Sequence, residues 1–98
     1  MIDYINVCGV PHKVLMVEDN FTLDSHFGEI DYTKAEIRIN KDMPEPMQKQ
    51  TLIHEWVHGV LVMMGYNNET QNEQFVNALA VAINQTFQIK RHAEVEDG

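Results

Sequence analysis

The chain has 98 residues, 44% of them apolar, and carries a formal net charge of −8 with an isoelectric point near 4.9. That length holds one compact domain with a modest core. The acidic balance excludes a nucleic-acid-binding surface, which needs clustered cations where this chain sets only Lys90-Arg91 side by side. No stretch approaches the roughly 18 uninterrupted apolar residues of a membrane span. Met1-Ile2-Asp3-Tyr4 opens without a basic and apolar leader. The expectation is a soluble cytoplasmic protein with neither nucleic acid nor membrane as partner.

The first forty residues read as strands. Tyr4-Ile5-Asn6-Val7 and His12-Lys13-Val14-Leu15-Met16-Val17 are rich in β-branched and apolar residues and flank Gly9-Val10-Pro11, whose composition predicts a hairpin turn. Cys8, the only cysteine, lies in this apolar run and reads as a small buried hydrophobe. A single thiol forms no internal disulfide and suits a reducing compartment. Glu18-Asp19-Asn20 begins a polar connection with Phe21, Leu23 and Phe27 as apolar anchors. After Gly28, Glu29-Ile30-Asp31-Tyr32 alternates, breaks at Thr33-Lys34, and resumes as Ala35-Glu36-Ile37-Arg38-Ile39-Asn40, a second hairpin. Ile37 and Ile39 share one face; Glu36, Arg38 and Asn40 share the other, wet one.

Lys41-Asp42-Met43-Pro44-Glu45-Pro46 then opens a helix predicted from about Pro46 to Met64, its prolines placed where early helical positions tolerate a missing N–H. Gly65 is positioned as its left-handed terminator. A second helix is predicted from about Glu69 to Gln88, with Phe75, Val76, Leu79, Ala82, Ile83 and Thr86 or Phe87 as its apolar stripe. The fold class is therefore α+β: a small antiparallel sheet of N-terminal strands packed on a long helix, followed by a second, antiparallel helix. Residues 1–92 form the domain, and 93–98 an acidic tail.

His54-Glu55-Trp56-Val57-His58 carries the chemistry. Two imidazoles four positions apart stand on one helix face a turn apart, where both reach one metal ion. Glu55 points to a neighbouring strip, from which a carboxylate takes a proton from a water activated by that metal without being a ligand. The pattern arises by accident in roughly a few chains per thousand of this size, so its surroundings decide its weight. Thr51-Leu52-Ile53 and Gly59-Val60-Leu61-Val62-Met63-Met64 are apolar almost all round the helix, which predicts burial. Buried histidines and a buried glutamate need something to satisfy them, and a cation does so.

A catalytic zinc takes three protein ligands and leaves one position open. Glu69 and Glu73 follow the turn, and Glu73 shares a face with Val76, Ala80, Ile83 and Phe87. Thr70-Gln71-Asn72-Glu73 equally matches a capping box, in which Glu73 bonds the backbone of Thr70 and does nothing else. His26 and His92 are further candidates, though as loop and tail residues both read more simply as exposed.

The run Thr51-Leu52-Ile53-His54-Glu55-Trp56-Val57-His58-Gly59-Val60, preceded by Gly28 and by Ile37-Arg38-Ile39-Asn40, resembles the ImmA/IrrE-like zinc metallopeptidases, especially the short versions encoded by phages and prophages of Gram-positive bacteria. Glu73-Gln74-Phe75-Val76-Asn77-Ala78-Leu79 is similar to that group's E-x-x-V-x-x-L ligand helix. The resemblance spans about Gly28 to Phe87. It implies a minimal zincin-like, gluzincin-type domain in the cytoplasm of a bacterial or phage-infected cell. His54, His58 and Glu73 then hold Zn²⁺, Glu55 is the general base for a metal-activated water, and the substrate is a protein or peptide. The further helices and DNA-binding domain of larger members have no counterpart here. An extended substrate is expected to pair with a strand edge at Ala35 to Asn40, and Tyr66, Tyr32 and His26 are the candidates for stabilising the oxyanion.

Three other functions share these residues. One is a metal-binding but catalytically inactive phage protein that acts as a protein–protein interaction module. Another is a zinc hydrolase for a non-peptide amide, and the last a metal-free helical packing module. Mn²⁺, Fe²⁺ or Co²⁺ suit the same donors, with zinc the default.

Overall fold

The computed structural model describes residues 2–18 and 27–87; Phe21, Leu23, His26, Gln88, Lys90-Arg91, His92 and the tail from Ala93 to Gly98 lie outside the described residues. Strands β1 (Tyr4–Val7) and β2 (Val10–Val17) form the first hairpin, and β3 (Gly28–Asp31) and β4 (Glu36–Asn40) the second. The first turn falls one residue earlier than its composition predicts. Val7 pairs with Val10 across a two-residue loop of Cys8 and Gly9, both at positive φ (50° and 83°), the handedness that matches the twist of the flanking strands. Val10 and Pro11 thus belong to β2. Pro11 pairs with Asn6 at a point where β2 has not yet met β4, whose pairing begins at Lys13, so its missing N–H disturbs no central ladder. Cys8 is exposed at this turn rather than buried.

The sheet is mixed, which corrects the antiparallel expectation. Its order is β1-β2-β4-β3, and β2 runs parallel to β4 from Lys13↔Glu36 to Val17↔Asn40. Alternation and turn residues determine which sequential strands fold back on each other; they are silent on how two hairpins meet. Here the strands with the strongest inward apolar pattern, β2 with Val14 and β4 with Ile37 and Ile39, take the centre, where burial is greatest. The chain between them passes through β3 at the far edge, the kind of crossover that parallel neighbours require. On the outer face Arg38 reaches Asp31 (3.1 Å), Glu36 (3.0 Å) and Glu29 (3.8 Å), whereas Asn40, expected on the same wet face, is buried at the end of β4.

Helix α1 (Glu45–Met63) lies between the sheet and helix α3 (Glu73–Thr86). Leu52 packs into the sheet's inner face with Val14, Ile37 and Ile39, while Ile53 and Val57 pack against Val76 and Ala80 of α3. Burial on two sides explains why α1 is apolar almost all round. Its indole edge is tied to the sheet, since Trp56 Nε1 donates to Asn6 O at 2.8 Å. Helix α1 ends in a Schellman motif: Gly65 at φ 86° donates to Val62 O, and Tyr66 N donates to Leu61 O.

The predicted second helix is two elements. A single turn, α2 (Asn67–Thr70), is followed by α3, whose N-cap is Asn72, its side chain accepting from Phe75 N at 3.1 Å. The polar run Asn67 to Asn72 has no apolar stripe to hold a longer helix in place, and Asn72 restarts it. The buried stripe of α3 is also narrower than predicted. Val76 and Ala80 are buried, Leu79 and Ile83 partly so, and Phe75, Ala82, Thr86 and Phe87 are exposed. No helix among the described residues is long and apolar enough to cross a membrane.

Candidate metal centre

Helical spacing brings His54 and His58 together as expected, with ring centroids 4.9 Å apart. The turn after α1 lays α3 back along it, and Glu73, the first residue of α3, spans both rings. Its Oε2 lies 3.1 Å from His54 Nε2 and its Oε1 2.9 Å from His58 Nε2. One donor atom from each of the three residues falls within 4.8 Å of the others. Donors held tetrahedrally about 2.0–2.1 Å from a zinc ion stand roughly 3.3 Å from one another, so small side-chain rotations separate this arrangement from a three-ligand site. The donor set, two imidazoles and a carboxylate, is one that zinc favours.

The capping-box role for Glu73 is not what is found. Asn72 caps α3, and Thr70 lies one element earlier, in α2, where its hydroxyl is 2.8 Å from His58 Nδ1. Spacing alone pointed Thr70 at the wrong partner; the need of a ligating histidine for a second hydrogen bond was the signal to search with. Glu69 is exposed in α2 and outside the three-residue group. His26 and His92 lie outside the described residues.

Glu55 is buried on α1 beside this group and faces a cleft of about 770 Å³ lined also by Gly28, Glu29, Ile30, Tyr32, Met47 and Thr51. Burial first, then the charges of Glu73 and Glu29, push its carboxyl up from 4.5 to about 7. Burial also lowers the His58 imidazole, against an opposing pull from Glu73. A carboxyl poised near neutrality beside the His54 and His58 rings is suited to accept and return a proton. Tyr32 borders the same cleft, its phenol pushed up to about 12 by burial and by the charge of Glu55, and is thus a neutral O–H donor at any working pH. Tyr66 is exposed and does not line the cleft.

The strand beside the cleft is β3, not β4. Among the described residues β4 is paired on both sides, with β2 and with β3, and β3 forms the sheet edge. The expectation for Ala35 to Asn40 fails because the strand with the most regular apolar alternation is drawn to the centre. Gly28 lets β3 lie close to both α1 and β4: a Cβ there would lie 2.7 Å from Thr51 Cγ2 of α1 and 2.8 Å from Arg38 O of β4. No family model matches the chain, and no curated protein or solved structure does either.

Proposed function

We propose that this chain is a zinc-dependent metallopeptidase of the ImmA/IrrE-like kind, acting on a protein or peptide in the cytoplasm of a bacterial or phage-infected cell. The observation that carries the reading is the meeting of His54, His58 and Glu73 donor atoms within 4.8 Å, next to a buried Glu55 that is not one of them. His54, His58 and Glu73 would hold the metal. The metal, when bound, supplies Lewis acidity that activates water and polarises an amide carbonyl.

The remaining work falls to the chain. Glu55 takes the proton of the attacking water at its carboxylate and returns it to the departing amine, which its raised pKa favours. The Tyr32 hydroxyl donates to the carbonyl oxygen as negative charge develops there. The outer edge of β3 at Glu29 and Ile30 aligns an extended peptide along the cleft by strand addition.

The test combines zinc content per chain, for wild type and His54→Ala, with cleavage of a broad peptide library by wild type and Glu55→Gln. One zinc per wild-type chain, none in His54→Ala, and cleavage lost in Glu55→Gln support the reading. Zinc bound without any cleavage returns the chain to an interaction module. No zinc in either, with both proteins folded, leaves a packing helix.

A further inference from the structure

The two nitrogens of the His58 ring face different chemistry. Nε2 lies 2.9 Å from Glu73 Oε1, and Nδ1 lies 2.8 Å from the hydroxyl of Thr70. A neutral imidazole carries one N–H and one lone pair, and an ionised carboxylate only accepts. Opposite Glu73, therefore, Nε2 carries the hydrogen, and Nδ1 accepts from the Thr70 hydroxyl. A His58 that offers its Nε2 lone pair to a metal must carry its hydrogen on Nδ1, and Thr70 must then accept. A hydroxyl does both by rotating about its C–O bond. The backbone carbonyls and carboxylates that usually back a ligating histidine only accept.

We infer that Thr70 is a positioning residue that keeps His58 hydrogen-bonded in both tautomers, so that the ring takes up and releases a metal without losing its second contact. This rests on the metal-site reading given above. The protons balance: Nε2 gives one to solvent, Nδ1 takes one from solvent, the ring stays neutral, and the hydroxyl keeps its own hydrogen. Thr70 is the last residue of the single turn α2. That turn sets the hydroxyl three residues ahead of Glu73, so that one short segment supplies both partners of the same ring.

Ring-nitrogen NMR of the full chain, first with chelator and then with one equivalent of zinc, tests the inference directly. The expected result is His58 with hydrogen on Nε2 before zinc and on Nδ1 after. Hydrogen on Nδ1 in both states overturns it. In parallel, Thr70→Val is expected to weaken zinc binding by about 10- to 100-fold in competition with a chromogenic chelator, and Thr70→Ser to restore it. Wild-type affinity in a folded Thr70→Val overturns the role of Thr70 while leaving the metal site standing. A folded wild type that takes up no zinc removes both together. The spectrum of the unmutated chain decides even where Thr70→Val fails to fold.

Discussion

Glu73 Oε2 stands 3.1 Å from His54 Nε2 although 19 residues separate them in the chain. The contact crosses from the start of α3 to the middle of α1, and it exists because the Schellman turn at Gly65 and the single turn of α2 reverse the chain. Glu73 thereby touches both imidazoles at once. Replacing it by alanine is expected to weaken zinc binding by more than about 100-fold, beyond what loss of an outer partner costs. Competition with a chelator of known affinity measures this. An unchanged constant would return Glu73 to service as an acidic residue at a helix N-terminus.

Glu55→Gln separates holding the metal from using it. Zinc stoichiometry should stay at the wild-type value, because the Glu55 carboxylate is not part of the three-donor group. Peptide turnover should fall by about 10² to 10⁴, the usual share of a general base. A variant that lost its zinc would place Glu55 among the ligands instead.

The same residue sets a pH dependence in the metal-free protein. Glu55 titrates near 4.5 when unfolded and at about 7 in the fold, so between these values the native chain holds a proton that the unfolded chain has released. Its contribution to stability is complete below about pH 4.5 and disappears as the pH rises through 7, a difference on the order of 3 kcal/mol. His58, lowered by burial, acts in the opposite sense, and its share is lost as the pH falls below 6.5. Urea denaturation in the presence of chelator should find Glu55→Gln more stable than wild type near pH 8, and the alkaline decline flattened. Equal stabilities there would show that burial does not burden Glu55.

Gly28→Ala probes the approach of β3 to α1. Its Cβ would meet Thr51 Cγ2 of α1 at 2.7 Å and the backbone oxygen of Arg38 in β4 at 2.8 Å, and no rotamer change relieves the second contact. The expected cost is about 1–3 kcal/mol, read as a lower denaturation midpoint. Because Gly28 and Thr51 both line the cleft, peptide affinity should weaken in the same variant. An unaltered midpoint would mean that β3 has room to shift from both α1 and β4.

What the sequence makes legible are features set by local hydrogen bonding. Helix α1 announces itself through Pro44 and Pro46, an apolar surround and Gly65, and it falls within a residue of its predicted bounds. The two histidines follow from its pitch, and the Ile37 and Ile39 face from the alternation of β4. Features that depend on distant partners do not announce themselves. The parallel pairing of β2 with β4 joins hairpins whose turns carry no information about each other. Cys8 looks like core because its neighbours are apolar, yet two positive φ angles place it in the turn. Thr70 and Glu73 have capping-box spacing, but Asn72 is the better cap and frees both side chains to reach α1.

The route from α1 to α3 has a mechanical consequence. A chain with one cysteine, exposed in a turn, has no disulfide with which to lock α3 to α1. A metal shared by His54 and Glu73 would be such a lock, a removable cross-link closing 19 residues of chain. For a loop of that size the constraint on the unfolded state is worth roughly 3 kcal/mol in the chain-entropy description used for disulfides. The atoms proposed to hold the metal would then add to the packing of Val76 and Ala80 on Ile53 and Val57 in holding α3, and chelation would weaken that hold without undoing it.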